Sequence, residues 1–471
     1  MSSRYHHINI SDPLHGLIGL SELETKIIRT PTFQRLRNIR QLGLIHYVYP
    51  SAECSRLTHS IGTCHIAGRI LNSLRMKNKS LGISEDEIQY YRLAALLHDI
   101  GHYPFSHVME KSVSNYYTLQ TINSNSHRNG HSIQEYYSHD RLGRQIILKD
   151  PGINQVLDSE NISAKLISEL LRPHSPEVRF PSLLNSDLDA DRIDYLLRTA
   201  HLTALPYGLH DINYLISQFT VGGKNNRLCL PYKALAAADH FLISRYFQYK
   251  QIVYHKTTSG IEKILQDLIM ALLDDDLDCT KSVIQDKIEN GAWRDFNDHF
   301  ILEKIKQIRN NDRILKIKAD SILYRQPPKA IVSYEHLGTR DHQQGFASMV
   351  NELESLIPDL AKRYDIPEDL WEVVEIPINS ITSMGSRMPV SEMLDPKESH
   401  YEQLGRSIFI KEDNDEPRTI MEMDNSLMKI LSDHFLYILR LYVLFPDIVS
   451  LGRREDIKQH IISRLRHIPF A

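Results

Sequence analysis

Apolar positions recur at helical spacing through most of the first 270 residues. From Ser84 onward, Ile88, Tyr91, Ala94, Ala95 and Leu97 fall on one face of a helix, and Ser84 with Glu87 three residues later reads as a capping box at its start. That helix should end at His98-Asp99, because Gly101 and Pro104 break the pattern immediately afterwards. A second helix is predicted from about 188 to 198, with Asp191 and Tyr195 four apart on one face. Residues 112–129, rich in Ser, Asn, Thr and Tyr, read as a loop leading to His131. Beyond about 273 the texture changes. Segments 314–334, 373–377 and 407–411 suggest short strands, whereas 424–445 reads as helix, and its apolar part at 431–445 suits either core or an interface.

The expected fold is therefore mainly α: a helical catalytic core over 1–270, then a smaller mixed α+β lobe over 271–471. No internal repeat, heptad run or low-complexity tract interrupts this organisation.

Charge and composition narrow the function. With 471 residues, 42% hydrophobic and 24% charged, the chain can bury a large core. Its net charge of -4 offers no whole-chain field for nucleic acid, so nucleic acid is not indicated, and an anionic ligand needs a local cluster of cations. Four cysteines at 54, 64, 229 and 279 form no Cys-x-x-Cys pair and point to neither a disulfide framework nor a thiolate zinc site. With no apolar run of membrane-spanning length and no leader-like N-terminus, the expectation is a cytoplasmic protein with no membrane partner.

Candidate chemistry concentrates in HDIGHYPFSH (98–107), between Arg56-Leu57-Thr58-His59 and Asp189-Ala190-Asp191-Arg192. With 24 histidines in the chain, one imidazole means little, and His6, His7, His46, His174 and His210 read as surface or core residues. The combination is what matters. Imidazoles and carboxylates together offer mixed nitrogen and oxygen ligands for Mn, Fe, Co, Ni or Zn. Arg56 and His59, three apart, can share a helical face, so that one meets phosphate while the other holds metal. The bland reading of Arg192 and Tyr195 is a salt bridge on the helix and a core contact.

The set His59, His98-Asp99, Asp191 resembles the HD phosphohydrolase superfamily. DPLHG (12–16), TPTFQRLRNIRQLG (30–43), RLTHSIG (56–62), HDIGHYPFSH, DADRIDYLLR (189–198) and PYG (206–208) are similar to deoxynucleoside triphosphate triphosphohydrolases, densely from about 9 to 256 and more weakly beyond. The resemblance implies that His59, His98, Asp99 and Asp191 hold a divalent transition metal, and it admits Mg on the substrate phosphates alongside. It implies that Arg56, His102, Arg192, Tyr195 and Arg245 contact the triphosphate, and that Gln41 and Leu42 touch the sugar and crowd out a 2′ hydroxyl. It makes His131 the general acid, with Glu110 and His107 as its polar surroundings.

The implied reaction is hydrolysis of deoxynucleoside triphosphates to deoxynucleoside and triphosphate. An HD phosphatase or phosphodiesterase acting on nucleoside monophosphates, cyclic nucleotides or nucleic-acid ends stays open, as does a catalytically weak nucleotide sensor or nucleic-acid-binding scaffold. Five positions depart from the family pattern, Ser11 and Ala237 among them in its effector-binding part. Ser132 follows His131 where relatives commonly carry Glu, and Thr199 stands where they place the Asp that holds the 3′ hydroxyl. Arg29 replaces the guanine-reading Asp of a nucleotide-effector pocket to which Gln34, Arg37 and His255-Lys256 otherwise correspond. The expectation is activation by a nucleotide other than GTP, or none of that type, in a homo-oligomer, dimer or tetramer.

Overall fold

The computed structural model describes residues 8–123, 136–172, 175, 178–208, 211–223, 226–380, 406–412, 416–447 and 451–469. It is mainly helical, as expected. The chain enters through a hairpin of β1 (Ile8–Asp12) and β2 (Gly16–Leu20), whose turn is the DPLHG string. Asp12 Oδ1 accepts from the amides of Leu14 and His15 at 2.9 and 3.1 Å, which closes the turn and fixes His15 above the helices that follow.

Three helices then frame the centre of the molecule: Arg56–Lys77, Glu85–Leu97 and Ala190–Thr203. The first packs against both of the others. Each has a side-chain N-cap, from Ser55, Ser84 and Asp189. Such caps satisfy amides that would otherwise be orphaned at the helix start. Of the expected capping box the structure shows the Ser84 half, with Ser84 Oγ accepting from Glu87 N at 3.0 Å, while the Glu87 carboxylate meets Arg179.

Strands β3 (Thr220–Gly222), β4 (Arg227–Pro231), β7 (Phe409–Lys411) and β8 (Arg418–Thr419) form a small sheet in the order β3-β4-β7-β8. A second sheet places β9 (Phe435–Val443) between β5 (Lys329–Gly338) and β6 (Trp371–Ser380), antiparallel to both. The largest apolar cluster runs from Ile18 to Ile468, so both halves of the chain contribute to one core. The Lys256–Asp275 helix is among the elements that join them, packing on β5, β6 and the Arg313–Leu323 helix.

Three element expectations fail. The segment 431–445 is mostly a strand, not a helix: FLYILRLYV is buried on both faces between two neighbours, which erases the period-2 signal and leaves a continuous apolar run. It is core. Residues 313–323 are helical because Asp312 caps the amides of Ile314 and Leu315 at 2.6 and 2.9 Å, and only the end of the 314–334 segment is strand. The polar run from 112 continues a helix, His107–Asn123, in which Ser112 Oγ donates back to Val108 O at 3.1 Å. The remainder of that run, 124–135, lies outside the described residues. Strands at 373–377 and 407–411 are found where expected. No helix among the described residues is long and apolar enough to cross a membrane.

Candidate metal centre and its surroundings

The four expected ligands arrive from three helix ends. His59 lies in the first turn of its helix, His98 caps the C-terminus of Glu85–Leu97 with Asp99 next, and Asp191 sits in the first turn of Ala190–Thr203. His59 Nε2 is 2.9 Å from Asp191 Oδ1 and 3.8 Å from Asp99 Oδ2. His98 Nε2 is 3.3 Å from Asp99 Oδ1 and 3.7 Å from Asp191 Oδ1. Ligand atoms of His59, His98 and Asp99 all fall within 4.8 Å of one another.

This donor set fits a divalent cation. His98 Nδ1 is 2.7 Å from Ala95 O, and His59 Nδ1 is 2.8 Å from Asp194 Oδ2, so each ring gives its Nδ1–H to an acceptor and turns its Nε2 lone pair to the centre. His98 Nε2 is buried with no hydrogen-bond partner among the described residues. The electrostatics agree. Burial opposes a charge on His98, yet Asp99 and Asp191 outweigh it and push the imidazole up to about 9. A site that draws protons this strongly is one that draws a cation.

Asp194 is a residue the sequence reading missed. It is 0% exposed and receives four contacts: His59 Nδ1, His15 Nε2 at 2.7 Å, and Arg198 Nε and Nη2 at 2.8 Å each. Arg198 Nη1 continues to Asp12 Oδ2 at 2.9 Å. The β1–β2 turn is thus wired to a metal-type ligand, which gives the DPLHG string a physical purpose. Gly62 makes room, since a Cβ there would lie 1.9 Å from Asp194 Oδ1. The available signal was spacing: Asp194 is three residues after Asp191 and four before Arg198, one helical turn from each.

A second group of imidazoles lies alongside. His102 Nδ1 is 3.1 Å from Asp99 Oδ1, and its ring is 4.3 Å from that of His139 and 5.2 Å from that of His107. His139 Nδ1 is 2.9 Å from both Glu110 oxygens, while His107 Nδ1 is 3.4 Å from Glu110 Oε2. Burial, helped by Arg56, drives His102 down to about 3, so it is neutral near pH 7. Burial also opposes charge on His139, but Asp140 and Glu110 outweigh it and raise it to about 9. The two imidazoles therefore occupy different protonation states side by side. His131 and Ser132 lie outside the described residues, and the imidazole found on Glu110, apart from the expected His107, is His139. Gly101 permits that approach: a Cβ on it would come within 2.2 Å of His139 O and Gly143 N.

The arginines expected to meet phosphate already hold carboxylates. Arg56 Nη1 is 2.6 Å from Asp99 Oδ2, Arg192 Nη1 is 2.5 Å from Asp189 Oδ2, and Arg245 Nη1 is 3.1 Å from Asp187 Oδ1. The bland reading of Arg192 is thus partly right. Tyr195 lies within electrostatic reach of Arg245, Arg192 and Asp191, so these four belong to one locality. Leu42 packs on an apolar cluster of Ile45, Ala52 and Ile252, while Gln41 is half-buried beside it in the chain. Gln34 accepts from Arg37 at 3.0 Å on the surface.

Comparison with known proteins places this geometry. Residues 56–199 match the HD domain model, a span that holds all four metal-type residues. Over that span the chain is similar to HD domains. Bovine deoxynucleoside triphosphate triphosphohydrolase SAMHD1 is 25% identical over 409 residues, covering 82% of this chain and 68% of the bovine protein. The uncharacterized protein YwfO of Bacillus subtilis is 30% identical, covering 55% of this chain and 54% of its own length. The chain spans a little over half the length of this and similar relatives. A crystal structure of a phosphohydrolase from Bacteroides thetaiotaomicron superposes with a TM-score of 0.66 at 22% identity, covering 92% of this chain and 99% of the other. That likeness concerns the fold alone.

Proposed function

We propose that this HD-domain protein hydrolyses deoxynucleoside triphosphates to deoxynucleoside and triphosphate. The observation that carries the reading is the juxtaposition of a cation-seeking cluster, His59, His98, Asp99 and Asp191, with arginines on one side and an imidazole–carboxylate pair on the other. The names of several relatives support the substrate class.

When bound, a divalent transition metal supplies Lewis acidity toward water and a phosphoryl oxygen. The remaining work falls to side chains. Arg56, Arg192 and Arg245 present N–H groups to the phosphates, and their own carboxylates keep the guanidinium planes fixed. Neutral His102 donates one N–H without adding charge. Tyr195 offers its phenol in the same locality.

Cleavage at the α phosphorus leaves the 5′ oxygen of the nucleoside needing a proton. His139, held by Glu110 and protonated near neutrality, is suited to supply it. His107 completes the polar surroundings.

Metal-loaded protein incubated with each dNTP, rNTP and dNMP tests the proposal, with products separated by chromatography. Triphosphate release from dNTPs is the expected result. Orthophosphate release from monophosphates with dNTPs intact would replace it with the phosphatase reading. That alternative draws support from the carboxylate partners of all three arginines, which leave less free positive charge for a triphosphate.

A further inference from the structure

The stretch that follows the His98-Asp99 pair has a backbone shape that its own sequence does not favour. Phe105 and Ser106 are consecutive and neither is glycine, yet their φ angles are +53° and +56°. Residues with a Cβ rarely enter this left-handed region, and two in a row persist only where their surroundings impose it. Both are buried, so the imposing groups are other parts of the protein.

Those groups come from nearly 200 residues further along the chain. Asp298, 1% exposed, opens the Asp298–Ile308 helix. Its Oδ1 accepts from Phe105 N at 2.7 Å and its Oδ2 from Arg40 N at 3.0 Å. Two residues earlier, Phe296 O accepts from Arg35 Nε at 2.6 Å, and Arg35 Nη2 continues to His102 O at 2.7 Å. The Arg35 guanidinium lies 4.2 Å over the Trp293 ring. Segment 293–298 therefore holds the 102–106 loop at two points, the His102 carbonyl through Arg35 and the Phe105 amide directly.

The hold extends to a guanidinium expected to meet phosphate. Ser106 Oγ accepts from Arg56 Nε at 2.8 Å and donates to Arg40 O at 3.2 Å. Asp298 and Ser106 thus take the N–H and the C=O of one residue, Arg40. Arg56 Nη1 is held by Asp99, so its planar fork is fixed at two nitrogens, and Ser106 supplies one of the two anchors.

We infer that Asp298 is a positioning residue: by accepting both amides it fixes the left-handed turn at 105–106, and through Ser106 it aims Arg56 at the substrate phosphates. The inference rests on the phosphate-binding reading of Arg56 and deepens it. Asp298 orients the site and takes no part in bond cleavage.

The test is a double-mutant cycle in the full, metal-loaded chain. Asp298→Asn and Ser106→Ala are each made in the wild-type and the Arg56→Gln backgrounds. Two quantities are read, kcat/KM for deoxyadenosine triphosphate and the Kd of inorganic triphosphate. Asparagine keeps one acceptor oxygen and turns an NH2 toward the second amide, so one of the two backbone contacts is lost. In the wild-type background each change should lower kcat/KM and weaken triphosphate by about 10- to 100-fold. In the Arg56→Gln background the same changes should cost less than about threefold, because the group they aim is gone. Ser106→Ala leaves the Asp298 contacts in place and carries the cycle if Asp298→Asn does not fold. Asp298→Asn within twofold of wild type overturns the inference. So do losses equal in the two backgrounds, which would make these residues supports of the fold alone. A wild type that binds triphosphate but leaves the nucleotide intact defeats the hydrolase reading separately, and the cycle is then decided on the triphosphate Kd.

Discussion

Replacing Asp194 with asparagine should weaken metal binding although Asp194 is not among the candidate ligands. The carboxylate accepts from four N–H groups, of His15, His59 and twice Arg198. A carboxamide keeps one acceptor oxygen and turns an NH2 toward groups that are themselves donors, so about half of these contacts become repulsive. His59 then loses the acceptor that fixes its tautomer and aims its Nε2. Loss of such an outer partner costs about 10- to 100-fold in metal affinity, or about 1.4 to 2.7 kcal/mol. Arg198 retains Asp12, so its charge is not left uncompensated, and the stability loss should stay near the ~1–3 kcal/mol of unsatisfied buried groups. Competition with a chromogenic chelator measures the affinity, and thermal melts of the metal-free proteins separate folding from binding. A folded Asp194→Asn protein that binds metal within twofold of wild type would show that His59 is oriented by something else. His15→Gln provides the control. It leaves the His59–Asp194 contact in place and should cost less than about threefold, whereas an equal loss in both variants would point to general loosening of the network.

Gly62→Ala should destabilise the protein by about 1–3 kcal/mol or more, because its Cβ would strike the Asp194 carboxylate; a urea midpoint equal to wild type would refute that packing argument. His139→Ala should retain metal and lose at least about 100-fold in kcat, and the wild-type rate should fall as pH rises through about 9, where the acid loses its proton. If His131→Ala loses turnover while His139→Ala does not, the sequence-based assignment of the proton donor stands instead. At the junction of the Lys256–Asp275 helix with β6, Lys263 and Lys318 bridge Asp267 and Glu372, and burial with the Asp267 carboxylate raises Glu372 to about 7. A carboxyl group raised in the folded state favours folding at low pH and loses that contribution between its ordinary value and about 7. Glu372→Gln should therefore match wild-type Tm near pH 4.5 and exceed it increasingly up to about pH 7, and parallel Tm curves would contradict the sign.

Local grammar in the chain was enough for the helical class, the Ser84 cap and the helix that ends at His98-Asp99, because caps, breakers and amphipathic periods act over a few residues. It also named four metal-type residues that the fold brings together from positions 59, 98, 99 and 191. Partnerships across the chain were beyond it. Nothing near His139 indicates that it meets Glu110 while His131 lies outside the described structure, since the approach depends on two glycines, 101 and 143, touching across two elements. Nor does the sequence reveal that three arginines each carry a carboxylate or that Asp194 joins His59 to the N-terminal hairpin. The strand at 435–443 shows the same limit from the opposite side: burial on both faces removes the alternation that marks a strand, and only neighbours on either edge make it one. The sequence thus determined which chemistry the chain can assemble. The tertiary structure decided which groups are neutralised, oriented or left unpaired, because those states depend on distances between residues far apart in the chain.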